Sequence, residues 1–131
     1  MYTSKISTLI VVVLLSASFA FAGTKEKAVL KAIETVENGS PDDWKLLAAQ
    51  AQYLISKNAG YSQAKDWIDK SISIKEDAYN FEVLGDYYLK SNLPSKAMES
   101  YVKSIQLTQQ QKDGGDISRV QFKLSKLYPS S

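Results

Sequence analysis

The chain contains no cysteine and no histidine. Without cysteine no disulfide can staple a small domain, so packing alone must hold the fold. Lacking both residue types, it can form no zinc site of the usual Cys/His kind, no Ser-His-Asp triad and no Cys-His pair. Acid–base work would fall to carboxylates, lysine or tyrosine. An excess of one charge is missing too, since 16 Lys and Arg face 14 Asp and Glu. That balance argues against nucleic acid, whose binding depends on neutralising many phosphates. Gly-rich phosphate loops, His-Glu-x-x-His helices, Gly-x-Ser-x-Gly elbows and calcium loops are all absent, so the chain is expected not to be an enzyme and to carry no metal or cofactor.

What is present begins with a short basic stretch, Met1 to Lys5, followed by the apolar block Leu9-Ile10-Val11-Val12-Val13-Leu14-Leu15. These are the first two regions of a secretory signal, and the small residues Ala20 and Ala22 suit a signal peptidase cutting before Gly23. The run is diluted by Ser16 and Ser18, whereas a spanning helix needs about 20 apolar residues. Residues 1–22 are therefore expected to be a signal peptide, with export to a periplasm or the outside and no stable membrane insertion afterwards. No cysteine follows the apolar block to take a lipid. Residues 23–131 then form one domain, and with Lys5 removed 15 basic residues face 14 acidic ones.

Within that domain the hydrophobic period is helical, and nothing alternates for long enough to read as a strand. The punctuation predicts six helices. The first runs from about Thr24 to Asn38, with Val29, Ile33 and Val36 on one face and Gly39 as its stop. Ser40-Pro41-Asp42-Asp43 reads as a start, Ser40 capping and Pro41 at the first helical position, so the second runs from about Pro41 to Lys57. Asn58-Ala59-Gly60 ends it. The third covers about Tyr61 to Lys75 and the fourth about Ala78 to Ser91. Asn92-Leu93-Pro94 turns into a fifth ending near Gln110. Asp113-Gly114-Gly115-Asp116 breaks the chain before a last helix to about Leu127, with Asp116 as cap and Ile117, Val120, Leu124 and Leu127 on one stripe. Such short connections force neighbouring helices to be antiparallel.

The sequence also repeats itself. Lys70-Ser71-Ile72-Ser73-Ile74 returns 33 positions later as Lys103-Ser104-Ile105-Gln106-Leu107, with Ala64 mapping to Ala97 and Ile68 to Tyr101. The second copy sets Phe81, Leu84, Gly85, Tyr88, Ala97, Tyr101 and Ser104 in an order that resembles the tetratricopeptide repeat (TPR) family. In the first copy Ala48, Ala51, Gln52 and Ile55 precede Ala64, Ile68 and Ser71, so at this offset Gln52 stands where glycine is usual and Ala48 where a larger residue is usual. Small residues such as Gly85 and Ala97 let the two helices of a hairpin approach, and Tyr88 and Tyr101 fill the gaps between them. The resemblance implies an all-α fold of antiparallel hairpins stacked as a short TPR-like α-solenoid. Repeat one would cover about 45–77 and repeat two about 78–110, with the helices at about 24–38 and 116–127 as caps.

The same resemblance implies a protein-interaction module whose groove, lined by the first helix of each repeat, holds a peptide segment of an envelope protein. Carried over by position, the lining is Leu46, Ala49, Tyr53 and Lys57 from repeat one, and Tyr79, Glu82, Asp86, Leu89 and Lys90 from repeat two. Tyr53, Lys57, Tyr79, Glu82, Asp86 and Lys90 are the candidate groove residues. The plain physical alternative is a solvated face tied by an Asp86–Lys90 ion pair, worth about 0.3 kcal/mol. The basic, amide-rich clamp with which some family members grip a terminal carboxylate is absent, and an acidic, aromatic groove suits basic or apolar side chains.

Two further readings stand beside the groove. The aromatics recur mostly at helix-core spacing, with Tyr53, Tyr79 and Tyr87 the ones expected to be most exposed, yet their number also fits a small apolar ligand held between helices or a purely structural domain. A repeat end left uncovered could pair with a second copy of the chain. The adjacent acids Asp42-Asp43 and Glu76-Asp77 fall at turns or helix starts, where carboxylates are favoured without any chemistry, and Asp113-Gly114-Gly115-Asp116 offers too few oxygens for calcium.

Overall fold

A computed structural model describes residues 23–128; the expected signal segment, 1–22, lies outside the described residues. All regular structure in this range is helical: α1 over residues 23–37, α2 Trp44–Ser56, α3 Tyr61–Ile74, α4 Ala78–Lys90, α5 Pro94–Gln109 and α6 Ser118–Ser125. The helices pack in chain order as antiparallel hairpins, α2 against α3 and α4 against α5. In addition α4 lies against both α2 and α3, and α6 against α5. The described residues form an all-α stack of hairpins, a short α-solenoid of six helices.

Local chemistry accounts for most of the boundaries. Asn58 and Asn92 take left-handed backbone angles, φ 51° and 59°, just beyond α2 and α4. Each turn is closed by a backbone bond reaching five residues back, Ala59 N–H to the Leu54 carbonyl at 3.1 Å and Leu93 N–H to that of Tyr88 at 2.8 Å. Pro94 occupies the first turn of α5, where its missing N–H costs nothing. At the start of α4 the Asp77 carboxylate accepts from Tyr79 N–H at 2.9 Å, while the Asn80 side-chain oxygen accepts from Asp77 N–H at 3.1 Å.

Three helix ends differ from expectation. Helix α2 begins at Trp44 instead of Pro41, and Ser40, whose hydroxyl donates to the Asp42 carboxylate, is not its cap. Asp43 takes that role, accepting from Leu46 N–H at 2.9 Å. Helix α6 is shorter than expected at both ends, although Asp116 does bind its first turn, accepting from Ser118 N–H at 2.8 Å.

The repeat is visible in the hydrogen bonds as well as in the sequence. Ser71 on α3 donates to the Trp44 carbonyl at 2.7 Å, and Ser104 on α5 donates to the Ala78 carbonyl at 2.7 Å. Each serine thus ties the second helix of its hairpin to the first residue of the first helix. The two serines are 33 positions apart, but the residues they bind are 34 apart, as are the ends of α2 and α4 at Ser56 and Lys90. The turn Lys57-Asn58-Ala59-Gly60 holds one residue more than Ser91-Asn92-Leu93. This corrects the register read from the uniform 33-residue offset. In the structure Ala51, fully buried, corresponds to Gly85, while Leu47 and Leu54 correspond to Phe81 and Tyr88. Neither Gln52 nor Ala48 is then an anomaly.

The core is in two parts. The larger joins Ala32 of α1, Leu47, Ala51, Leu54 and Ile55 of α2, Ala64, Trp67 and Ile68 of α3 and Val83 of α4, with Val29, Ile33 and Val36 of α1 packed on it. The smaller gathers Ala97 and Tyr101 of α5 and Val120 of α6, flanked by Tyr88, Ile105, Leu124 and Leu127. Helices α1 and α6 therefore close opposite ends of the stack. Where α3 passes into α4 lies a buried polar link: Asn80, with no exposed surface, donates to Ser71 Oγ at 3.1 Å and to the Lys75 carbonyl at 2.7 Å. Every buried side-chain polar atom among the described residues has a partner, as a small core with little stability to spare requires.

Candidate interaction surface

On α4 the side chains Tyr79, Glu82, Asp86 and Lys90 succeed one another by three, four and four positions and so share a stripe. The first three are engaged inside the molecule. Tyr79 donates its hydroxyl to Gln52 Oε1 of α2 at 2.9 Å. Glu82, expected in an open groove, is only 3% exposed. Its two oxygens accept from Arg119 Nε and Nη2 at 2.9 and 2.7 Å, and Lys123 Nζ stands 2.8 Å from one of them. Asp86 accepts from Lys123 at 2.9 Å and from the Tyr101 hydroxyl at 2.7 Å.

The anticipated Asp86–Lys90 pair is replaced by these bonds, and Lys90 is exposed at the end of its helix. Arg119 and Lys123 belong to α6, and each meets a residue 37 positions earlier. Two cations one helical turn apart meet two carboxylates one turn apart, which requires α4 and α6 to run parallel, as alternate helices of a hairpin stack do. Sequence reasoning missed this match. Its signal was present in the shared four-residue spacing of Glu82/Asp86 and Arg119/Lys123, but ion pairing across that distance depends on a tertiary contact.

The electrostatics follow from the packing. Burial pushes the Glu82 carboxyl up, but the hydrogen bonds and charges of Arg119 and Lys123 outweigh it and leave it below the ordinary carboxylate value. Burial likewise disfavours the charged Lys123, yet Glu82 and Asp86 together hold its ammonium above the ordinary value. The Tyr101 phenol is driven far up, by burial first and then by its bond to Asp86, so it remains a neutral donor. Tyr79 is also raised, by burial and by the charge of Glu82.

Tyr53 and Lys57 do not join this stripe. The ring of Tyr53 lies between Lys31 Nζ of α1, 5.9 Å from its centroid, and Lys57 Nζ at 5.7 Å. One residue of helical register is about 100° of rotation, and the longer turn after α2 supplies that residue. Tyr53 and Lys57 consequently turn towards α1, whereas Gln52 meets Tyr79. Of the six expected groove residues, Tyr53 and Lys57 form a cation–aromatic cluster with Lys31, Glu82 and Asp86 form a charge-locked face with α6, Tyr79 binds Gln52 and Lys90 stands exposed. Lys31, Gln52, Arg119 and Lys123 are the participants that position alone did not reveal.

The aromatics and acids are otherwise structural. Tyr53, Tyr79 and Tyr87 are half-buried, Tyr87 edge-on to both Tyr61 and Tyr88, and the exposed rings are instead Phe122 and Tyr128 of the last segment. Asp43, Asp77 and Asp116 bind helix-start N–H groups, and Glu76 stands 3.7 Å from Lys103. Among the described residues no group of three or more potential ligands is placed to hold a metal, and no helix is long and apolar enough to cross a membrane. One depression of about 270 Å³ lies over Phe81, Leu84 and Tyr88, and another of about 230 Å³ lies beside the start of α4.

The class that fold and surface define is a short helical-hairpin stack, closed at one end by a charge-paired terminal helix. Set against family models, curated proteins and solved structures, the chain gives no match in any of the three comparisons.

Proposed function

We propose that this protein is an exported interaction module of the TPR type that holds a peptide segment of an envelope or secreted protein. The observation that carries the reading is the repeated hairpin tie, Ser71 to the Trp44 carbonyl and Ser104 to that of Ala78. Both hairpins carry the same internal tie, and their first helices, α2 and α4, lie in contact, an arrangement that stacks into extended binding surfaces. The export half rests on the signal pattern of residues 1–22.

The accessible part of the surface is basic and aromatic: Tyr53 flanked by Lys31 and Lys57, with Lys90 at the end of the neighbouring helix. The acidic part is covered by α6.

The test is affinity capture from the native host with the tagged full chain and with a Tyr53→Ala/Lys57→Glu/Lys90→Glu variant of matching helicity. A partner retained by the first and lost by the second is the expected result. Equal recovery by both overturns the placement of the surface, and no specific partner with either overturns the interaction role.

A further inference from the structure

We propose that α6 is a latch: it occupies, from within the chain, an acidic face of α4 that suits a basic amphipathic helix of a partner, and it opens while the preceding five helices stay folded. The partner class rests on the interaction reading above; the opening itself does not.

Three observations converge on it. First, α6 buries few side chains, and its cations bind the α4 carboxylates. Val120 is its one buried residue, whereas α2 buries five, and Phe122 is left 60% exposed. Second, the segment from Ser118 to Tyr128 carries Arg119, Lys123 and Lys126 and no carboxylate. It is itself a basic amphipathic helix, so the chemistry of the preferred occupant is written in the chain. Third, residues 111–116 of the connection are all exposed, and Gly114 adopts a left-handed φ of +54° with open space around it, a place where backbone rotation meets little resistance.

Beneath the latch, part of the receiving surface is held by residues outside α6. Asp86 is held by Tyr101 of α5, and Tyr79, on the same stripe, is held by Gln52 of α2. These bonds lie within the five-helix body and persist when α6 departs. An incoming helix with two cations one turn apart would meet Glu82 and Asp86 in the positions they hold for Arg119 and Lys123. While α6 is docked, such a partner sees only the small fraction of molecules in which the face is free, and its apparent affinity falls by that fraction.

The probe is a synthetic peptide of residues 116–128, titrated into the full chain and into full-length Arg119→Ala/Lys123→Ala. The double variant is expected to bind it roughly tenfold or more tightly than the wild type, and adding Glu82→Gln and Asp86→Asn to that variant should abolish binding. Hydrogen exchange of the double variant should show α6 amides losing protection while α2 to α5 keep theirs. Equal affinity for the two chains, no binding to either, or loss of protection throughout α2 to α5 overturns the proposal. The peptide experiment involves no natural partner, so a failed capture from the host and a failed latch are separately visible.

Discussion

The ring of Tyr101 lies against Gly85 and fills the space that a Cβ on that residue would need. Its hydroxyl reaches past to Asp86, at 2.7 Å, and with no exposed surface the ring has nowhere to retreat. Gly85→Ala is accordingly expected to destabilise the protein by about 2 kcal/mol, since overpacking outweighs the roughly 1 kcal/mol that alanine gains in a helix. Urea unfolding measures it. In the first hairpin the corresponding pair is Ala51 with Ile68, so Gly85→Ala combined with Tyr101→Ile should cost less than the two single changes added together. Strict additivity would show that the ring and the missing Cβ are not coupled.

The serine ties allow a comparison within one molecule. Ser104→Ala removes one bond to the Ala78 carbonyl and should cost about 1 kcal/mol. Ser71→Ala removes the equivalent bond and also takes an acceptor from the buried Asn80 amide, so its cost should be larger, about 2 kcal/mol. Thermal unfolding of both variants side by side decides the order. A smaller effect at Ser71 would mean that the Lys75 carbonyl alone satisfies Asn80.

Asn80→Ala should exceed either serine change. It removes the side-chain oxygen that accepts from Asp77 N–H and the amide that binds Ser71 and the Lys75 carbonyl. A loss of about 2–3 kcal/mol is expected in chemical denaturation. Amide exchange should locate the loss at the α3–α4 turn first. Protection unchanged at Asp77 and Lys75 would contradict it.

Acid should loosen α6. The folded Glu82 carboxyl sits below its ordinary value because of Arg119 and Lys123, so it contributes stability that is present above the unfolded value, about 4.3. That contribution is lost as pH falls through the lower folded value. Glu82→Gln should therefore reduce stability at neutral pH by about 1–3 kcal/mol and flatten the pH dependence below about pH 4.3. Unfolding curves between neutrality and strong acid, for both chains, test this. Parallel profiles would exclude Glu82 as the titrating group.

The export proposal is checked at the N-terminus. Protein recovered from the native host should begin at Gly23, by intact mass or terminal sequencing. A chain retaining Met1 would contradict cleavage.

Much of the helical layout was legible because it is local chemistry. Asn58 and Asn92 end helices through their own tolerance of left-handed angles, Pro94 opens one, and the period of Val29, Ile33 and Val36 marks a buried face within a few turns of chain. The start of α2 was misplaced for an equally local reason, the cap being Asp43 and not Ser40.

By itself, then, the sequence determined that the chain is helical, where most of its turns fall and that two hairpins repeat, since these depend on contacts a few residues apart and on a spacing that can be counted. Only the tertiary structure decided which way α2 faces and whether Glu82 and Asp86 stand open. A one-residue change of register moves a position about 100° around its helix, and in the stack Tyr53 lies by Lys31 of α1. Arg119 and Lys123 reach the α4 carboxylates only once two hairpins and a terminal helix have stacked.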